Sequence, residues 1–296
     1  MQYLSVAQVA KMWNMTDRNV RKYCADGKIP GAFLTGKTWS IPENAEKPPR
    51  SNASSNNSKT LLNILKEQKS ARLSGGIYHR IQIDLTYNSN HIEGSRLSHE
   101  QTRFIFETNT IGITDESINV DDIVETSNHF RCIDYVIDTA NHKLSEKYIK
   151  HLHLLLKSGT SDAAKDWFNV GEYKKLPNEV GGTQTSEPEN VQYEISRLLD
   201  EYNKKNTVTL DDIISFHVQF EKIHPFQDGN GRVGRLIIFK ECLKNNIIPF
   251  IIDEQHKLFY YRGLKEWSRE KGFLTDTCLS AQDRFREILN YFRIDN

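Results

Sequence analysis

The sequence predicts an all-α fold for most of the chain, preceded by a small separate module. Apolar residues recur at the 3.6-residue spacing of a buried helix face in successive stretches after residue 60. Residues 47–59 are mostly Pro, Ser, Asn and charged residues with little to bury, which predicts a solvated linker. We therefore expect a module at residues 1–46, the linker at 47–59 and a helical body at 60–296.

The N-terminal module has the signals of two short helices and a hairpin. Ser5 with Gln8 three residues later is the pattern of a capping box, and Thr16 is typical of a second N-cap. Gly27 is a typical helix stop, and GAFLTGKTWSIP after it predicts a hairpin or wing that turns near residues 35–36. The resulting winged helix-turn-helix resembles the excisionase/MerR-type DNA-binding modules.

That resemblance implies a DNA-binding face. Arg18, Arg21 and Lys22 on the second helix would meet DNA, and Lys37 in the wing would contact phosphate. Residues 1–50 hold 8 Lys and Arg against 4 Asp and Glu, so this part of the chain is mildly basic. A solvated helix face on a protein-docking module is the alternative interpretation.

The overall composition narrows the class of protein. The formal net charge is +0, so no global field indicates nucleic acid as the partner of the whole chain. The four cysteines are isolated, without metal-ligand spacing, which favours free thiols in a reducing compartment. We expect a cytoplasmic protein without membrane contact, because neither a signal peptide nor a membrane-length apolar stretch is evident.

After the linker, periodicity predicts a succession of helices with one irregular interruption. The interruption is Gly171–Asn190, which is rich in Gly, Pro and polar residues and predicts a loop or hairpin. The predicted helices are Leu61–Leu73, Ile77–Asn88, Gln101–Thr108, Ile123–Ala140, Glu146–Lys157, Val191–Lys204, Leu210–Ile223, Val233–Asn245, Lys257–Lys271 and Leu274–Phe292.

The stretch HPFQDGNGRVGR, His224–Arg235, concentrates reactive residue types around two glycines. Its glycines match the dinucleotide-binding pattern GxGxxG and, with Arg235, approach a P-loop. Both motifs need a strand that leads directly into the glycines, whereas Thr209 followed by Asp211 and Asp212 predicts the start of a helix. We exclude both motifs and expect helix, glycine loop, helix.

Each residue type in this stretch suits a site for nucleotide phosphate. Pro225 disfavours the α conformation before it, so the first helix should end at His224 and present the imidazole at the loop. Asp228 is a hard oxygen ligand suited to Mg²⁺ that phosphate also binds. Gly229 and Gly231 let backbone amides converge at a helix N-terminus, where the dipole favours anions.

Two arginines complete the predicted site. Arg232 and Arg235 are three residues apart on one helix face and can bind separate phosphates. His224 beside them can deprotonate a hydroxyl. A surface loop with merely solvated polar residues is the alternative interpretation.

The same stretch is identified as the Fic family motif, HPF-x-acid-GNGR-x-x-R, which it matches at every position. The resemblance implies an all-α, Fic-type helical bundle with a short β-hairpin flap, and transfer of AMP from ATP to a hydroxyl of a target protein. It also implies a role for each matching residue: His224 as general base, Asp228 as ligand of Mg²⁺ (or Mn²⁺), Asn230 with the Gly229 and Gly231 amides on the α- and β-phosphates, Arg232 on the phosphate chain and Arg235 on the γ-phosphate.

The resemblance extends to the irregular stretch and to an aromatic pair. Small residues would let the flap pair with a target segment by β-augmentation, and a solvent loop is the alternative. The flap residues concerned are Glu179, Val180, Gly181, Gly182 and Thr183. Tyr260 and Tyr261 are similar to the family's aromatic pair near the adenine pocket, with a place in the core as the alternative.

A separate stretch, SNHIEG at Ser89–Gly94, fits the family's inhibitory pattern Ser/Thr-x-x-x-Glu-Gly/Asn. Ser89 and Glu93 are one helical turn apart, and Gly94 can end that turn. Glu93 would pair with Arg235 in place of the γ-phosphate, so that ATP binds in a pose unfit for transfer. An ordinary exposed glutamate is the alternative.

We therefore predict a protein adenylyltransferase, that is, a nucleotidyltransferase, inhibited through its own Glu93. Its partner would be a protein with a hydroxyl side chain, the chain itself included, and a homo-oligomer is left open. One alternative is a DNA-binding transcriptional regulator whose Fic domain senses nucleotide. Another is a Fic enzyme that removes AMP or transfers a different phosphate-linked group.

Overall fold

A computed structural model of the chain describes residues 3–25, 27–35, 38–47, 59–112 and 117–294. The chain divides into two compact units, Met1–Asn57 and Ser58–Asn296. Residues 48–58, which make up most of the predicted linker, lie outside the described residues. Of the helices in the described part, none has the length and apolar character needed to cross a membrane.

The first unit contains two helices and a three-stranded sheet. Its elements are β1 (Tyr3–Ser5), α1 (Val6–Trp13), α2 (Asp17–Ala25), β2 (Phe33–Thr35) and β3 (Thr38–Pro42). The predicted capping box is present, because Ser5 Oγ accepts from the Gln8 amide at 3.4 Å and Gln8 Oε1 accepts from the Ser5 amide at 2.8 Å. Ser5 thus ends the first strand and starts the first helix.

The sheet of the first unit has the order β1-β3-β2, antiparallel throughout. Val9, Val20 and Ile41 are fully buried and join both helices to the central strand β3. The hairpin expected after α2 is β2–β3, and residues 36–37 at its turn lie outside the described part. The sequence did not reveal β1, because three residues are too few to show a strand's alternation.

The second unit contains the helices that the periodicity predicted, and some of them end at different residues. They are α3 (Leu61–Ser70), α4 (Ile77–Ile92), α5 (His99–Thr108), α6 (Val120–Thr139), α7 (Glu146–Lys157), α8 (Pro188–Asn203), α9 (Leu210–Ile223), α10 (Asn230–Lys244), α11 (Glu254–Glu266) and α12 (Gly272–Tyr291).

Two predicted helix ends were wrong for identifiable reasons. α4 continues to Ile92 instead of stopping at Asn88, because its last turn buries the polar residues Ser89 and Asn90, which hid the apolar periodicity. α11 ends at Glu266, whose carbonyl accepts from two following amides in a turn, and not at Lys271. Buried polar residues thus hid the end of α4, and a turn ended α11 before the predicted boundary.

The helix α10 is the centre of the second unit. Its residues from Asn230 to Leu243 are all buried, and it contacts α4, α6, α7 and α9. A helix buried on every side is typical of a domain core. The N-terminus of α10, where the glycine loop lies, is consequently held by several surrounding helices.

The irregular stretch between α7 and α8 contains a short hairpin. Its strands are β4 (Glu179–Val180) and β5 (Thr183–Gln184), with Val180 opposite Thr183. Gly181 and Gly182 between them have φ values of 56° and 75°, the left-handed backbone of a tight hairpin turn. The two glycines therefore allow the chain to reverse within two residues.

Candidate active site

The segment between α9 and α10 is a tight loop that begins at His224. This residue follows the last turn of α9 with φ 51° and ψ 63°, a left-handed conformation that strains a non-glycine residue. The helix thus ends where Pro225 was expected to end it. Phe226 is fully buried and stacks on the ring of His153 at a centroid distance of 3.9 Å. The proline and the buried ring hold the histidine in its strained position.

The loop closes on itself through Asn230. Its side chain accepts from the Phe226 amide and donates to the Phe226 carbonyl, both at 2.8 Å. Gly229 precedes α10 with φ 81°, and without a side chain it leaves the first amides of the helix uncapped. These amides form an anion site at a helix N-terminus, whereas the Asn230 side chain is used to shape the loop.

His153 on α7 connects this loop with the chain that leads into the flap. Its Nδ1 accepts from the Gly171 amide at 2.9 Å, and its Nε2 lies 3.1 Å from the Asp228 carbonyl. Burial lowers the pKa of His153 to about 3, so the ring is neutral. A neutral ring that accepts at Nδ1 carries its proton on Nε2 and donates it to Asp228.

His224 is also neutral at physiological pH. Burial, and after it the charge of the Lys174 ammonium, lower its pKa to about 4. Glu221, Glu93 and Asp228 act in the opposite direction without overcoming these effects. Its Nδ1 is buried and has no hydrogen-bond partner among the described residues. A neutral imidazole at the mouth of an anion site can accept a proton from an incoming hydroxyl.

Asp228 belongs to a network of charged side chains. Its Oδ2 accepts from Lys157 Nζ at 2.7 Å and from Arg232 Nη2 at 3.0 Å. Glu125 of α6 pairs with the same two cations, and Asp162 accepts from Lys157 at 2.8 Å. Burial raises the pKa of Asp228, but the charges of Arg232 and Lys157 outweigh burial and hold that pKa below its ordinary value. Asp228 is therefore ionised.

The donor set fits a divalent cation only in partnership with phosphate. Within the described ranges, no group of three or more His, Cys, Asp and Glu residues could hold a metal ion. The ionised Asp228 side chain is 47% exposed, so it can supply one oxygen ligand. Mg²⁺ in proteins commonly combines one or two carboxylates with water and substrate phosphates. A nucleotide-bound cation therefore fits this site, and a cation held by the protein alone does not.

Arg235 faces the end of α4. Its Nη2 donates to the Ser89 carbonyl at 2.9 Å and to Glu93 Oε1 at 2.7 Å, and its Nε donates to Ser89 Oγ at 3.0 Å. A Cβ added at Gly231 would collide with the Glu93 carboxylate, so glycine there lets Glu93 approach the N-terminus of α10. The structure thus joins two motifs that are 142 residues apart.

Tyr260 lies in the core, which was the alternative to a place near the adenine pocket. It is 1% exposed, and its hydroxyl lies 2.6 Å from His217 Nε2. Glu221 lies one helical turn after His217, and burial raises its pKa to about 8 although Arg235 lowers it. Tyr260 therefore supports the surroundings of Arg235 and offers no ring face to a ligand.

Tyr261 is placed differently from its neighbour. Its side chain is 41% exposed, and its hydroxyl donates to the Ile92 carbonyl at 3.2 Å. Ile92 is the last residue of α4 and directly precedes Glu93. Tyr261 thus holds the end of the helix from which Glu93 reaches Arg235.

The remaining predicted residues lie on exposed surfaces or outside the described part. All five flap residues, from Glu179 to Thr183, are exposed on the β4–β5 hairpin. Arg18, Arg21 and Lys22 lie on α2, and the Arg21 side chain is exposed. The side chains of Arg18 and Lys22 and the whole of Lys37 lie outside the described residues.

Sequence reasoning missed several residues that hold the site together. Glu125, His153 and Lys157 come from α6 and α7, far from the glycine loop in sequence, and each contacts that loop or its arginine. Their only sequence signal was a polar residue on the apolar face of a helix. That signal indicates burial with a partner, but it does not name the partner.

The site and fold together define a class: a mostly helical domain in which the uncapped N-terminus of the central helix follows a glycine loop beside a neutral histidine. Residues 143–241, from before α7 to near the end of α10, match the sequence model of the Fic/DOC family. The chain therefore carries a Fic domain, which confirms the resemblance stated from HPFQDGNGRVGR.

Curated relatives align with part of the chain. It is 27% identical over 183 residues to the protein adenylyltransferase Fic of Culex quinquefasciatus and 27% identical over 183 residues to protein adenylyltransferase fic-1 of Caenorhabditis elegans. Each alignment covers 60% of this chain and 35% of the relative. The chain thus spans about a third of the length of these relatives.

Solved structures share the fold. A Fic domain containing signaling protein from Bacteroides thetaiotaomicron matches with a TM-score of 0.57 and 24% identity, over 78% of this chain and 90% of that one. Fic-1 from Caenorhabditis elegans matches with a TM-score of 0.62 and 18% identity, over 80% and 73% respectively. At these identities the matches establish the architecture of the second unit and nothing about its substrates.

Proposed function

We propose that this chain is a protein adenylyltransferase that transfers AMP from ATP to a hydroxyl side chain of a target protein. The observation that carries the proposal is the meeting of a neutral His224 with the uncapped N-terminus of α10. Arg232 and Arg235 on the same helix add positive charge beside the anion site. Relatives named protein adenylyltransferase support the same reaction.

In the proposed reaction, His224 accepts the proton of the target hydroxyl. The hydroxyl oxygen bonds to the α-phosphorus of ATP as the bond from that phosphorus to the bridging oxygen breaks, and pyrophosphate leaves. The amides at the start of α10 would neutralise charge on the phosphates. Asp228 would hold Mg²⁺ or Mn²⁺ together with the phosphates, and that cation would stabilise the leaving pyrophosphate.

Labelled ATP tests the reaction. The full chain, Glu93→Gly and His224→Ala would each be incubated with Mg²⁺ and with ATP labelled at either the α- or the γ-phosphate. We expect protein-bound label from the α position alone, strongest in Glu93→Gly and absent in His224→Ala. Transfer of γ label, or no α label in any variant, would rule out AMP transfer.

We further propose that Glu93 inhibits the enzyme. It is ion-paired with Arg235 at 2.7 Å, and it lies against Gly231 at the start of the anion site. A carboxylate at this place occupies the guanidinium that would otherwise bind the γ-phosphate. Replacing Glu93 by glycine would free Arg235, so the rate of transfer should rise. An unchanged rate in Glu93→Gly, with ATP still bound, would contradict the inhibition.

The hairpin β4–β5 supports the proposal that a target protein docks beside His224. Its residues are exposed, and the outer edges of both strands are open to a further strand. The target would supply a hydroxyl side chain, and the chain itself is one candidate target. A cytoplasmic location and a homo-oligomer stay predictions.

DNA binding by the first unit is a second proposed function. The observation that favours it is the pairing of α1 and α2 with a three-stranded sheet, the arrangement of a winged helix-turn-helix. Arg21 is exposed on the second helix. Binding to the chain's own promoter region, weakened steeply by salt and by Arg21→Ala, would support a regulator whose Fic domain senses nucleotide. Binding that salt and Arg21→Ala leave unchanged would contradict it.

A further inference from the structure

Lys174 is a buried lysine at the base of the flap, and the proposed mechanism does not use it. Its residue is 5% exposed. The acceptors of its ammonium among the described residues are all uncharged: a backbone carbonyl, a side-chain amide and a hydroxyl. Glu187 and Glu194 raise its pKa through their charges, but neither accepts a hydrogen bond from the ammonium. Burying a charge without a directly bonded counter-ion is costly, so a chain that keeps one in this position has a reason beyond packing.

Lys174 is bonded to the residue before His224 and to the residue after it. Its Nζ donates to the carbonyl of Ile223, the last residue of α9, at 3.3 Å. Its backbone amide donates to the carbonyl of Pro225 at 2.8 Å. The residue before His224 and the residue after it are therefore both bonded to Lys174.

The same ammonium also closes the base of the flap. It donates to Asn178 Oδ1 at 2.7 Å, before β4, and to Thr185 Oγ1 at 2.6 Å, after β5. Asn178 in turn donates from Nδ2 to the Phe226 carbonyl at 3.0 Å. Both ends of the hairpin thus converge on one ammonium, which is itself bonded to the last residue of α9.

Lys174 also acts on His224 electrostatically. Burial lowers the pKa of Lys174 to about 8, so most of it is charged at pH 7. That charge is the second cause, after burial, of the lowered pKa of His224. The other groups that act on His224 all raise its pKa: Glu221 on α9 through a backbone hydrogen bond, and Glu93 after α4 and Asp228 before α10 through their charges. Without the ammonium, burial would be left to oppose these effects.

We propose that Lys174 is a positioning residue that couples the target-docking flap to His224, because it bonds both ends of the hairpin and the residues on both sides of the histidine. The coupling rests on the proposed transferase function, but its physical part can be tested without any transfer. A structural role alone would leave the titration of His224 unchanged.

The test compares Lys174→Met and Lys174→Arg in the full chain, with Lys175→Met as the matched control. Lys175 is the adjacent lysine and is exposed. Hydrogen exchange of residues 176–185 reports on the flap. Nuclear magnetic resonance of the histidine rings, with His224 assigned through His224→Gln, reports on its titration.

We expect faster exchange in the flap and a higher pKa of His224 in Lys174→Met, with both restored towards wild type in Lys174→Arg and unchanged in Lys175→Met. In the Glu93→Gly background, kcat/KM for the target should fall by up to about 100-fold in Lys174→Met, since small displacements of reacting groups cost this much. Wild-type exchange in the flap together with a wild-type pKa of His224 would overturn the proposal.

The two proposals fail in distinguishable ways. If no variant transfers AMP but the flap and the titration respond as expected, the transferase function fails and the coupling stands. If Glu93→Gly transfers AMP equally well with and without Lys174, the coupling fails and the function stands. Should Lys174→Met not fold, Thr185→Val removes one flap-side acceptor without touching the charge, and faster flap exchange is again expected.

Discussion

The stretch His224–Arg235, which holds the glycine loop and the start of α10, and the flap at residues 174–185 are held in different ways. In the first stretch, Asn230, Arg232 and Arg235 are each at most 5% exposed and hydrogen-bonded. In the flap, the strands are exposed on every residue, and the bonds lie at the base. Under the proposed function, this difference suits a phosphate site that needs fixed groups and a docking site whose backbone is still open to pairing.

The largest expected effect is the loss of unfolding free energy on substitution, which should be large at the first stretch and small in the flap. Glu125→Gln removes a carboxylate that pairs with both Lys157 and Arg232, each nearly inaccessible, and should destabilise the second unit by about 3 kcal/mol. Glu179→Gln in the exposed flap should change stability by less than about 0.5 kcal/mol. Urea unfolding of both variants measures the difference, and equal midpoints would show that the charge network does not distinguish the regions.

His153→Leu tests the link between the regions. It removes bonds to the Gly171 amide at 2.9 Å and the Asp228 carbonyl at 3.1 Å, and it leaves a buried amide unpaired. We expect a loss of about 1–3 kcal/mol, seen as a lower melting temperature. His151→Leu is the control, because His151 lies on the same helix with its ring against Tyr135. Equal losses of stability in the two variants would show that the hydrogen bonds of His153 do not link the two regions.

Alanine substitution at two glycines with positive φ compares the two regions directly. Gly229 in the loop and Gly181 in the flap have φ values of 81° and 56°, so alanine at either should cost about 1–2 kcal/mol of local strain. Gly229→Ala should weaken ATP binding, measured by calorimetry in the Glu93→Gly background, whereas Gly181→Ala should leave it unchanged and raise KM for the target. Weaker ATP binding in Gly181→Ala would mean that the flap also belongs to the nucleotide site.

The smallest expected effect is that of pH. The pKa of His224 is lowered from 6.5 to about 4, so the neutral base predominates above that value. Transfer by Glu93→Gly should be nearly constant from about pH 6 to 8 and fall as pH approaches 4. The folded state prefers neutral His224. This preference contributes stability that is fully present above pH 6.5 and is lost as pH falls from 6.5 towards 4. A rate that halves near pH 6.5 would show an unperturbed histidine.

The sequence by itself determined the helical class, the position of the glycine loop and the residue types that lie in it. Periodicity and capping are local properties, and HPFQDGNGRVGR holds its histidine, acid, glycines and arginines within twelve consecutive residues. The end of α9 at Pro225 followed from a steric rule about one dipeptide. Each of these features depends on neighbours along the chain, so it can be predicted without a structure.

Only the tertiary structure decided which distant side chains complete the site. It placed Tyr260 in the core and engaged the Asn230 side chain inside its own loop. It also brought Glu125 to Arg232, Lys157 to Asp228 and Lys174 to the carbonyls on both sides of His224. A polar residue on a helix gives the same sequence signal whether it meets solvent, a counter-ion or a carbonyl. The partner is chosen by the packing of helices far apart in sequence, which no local pattern encodes.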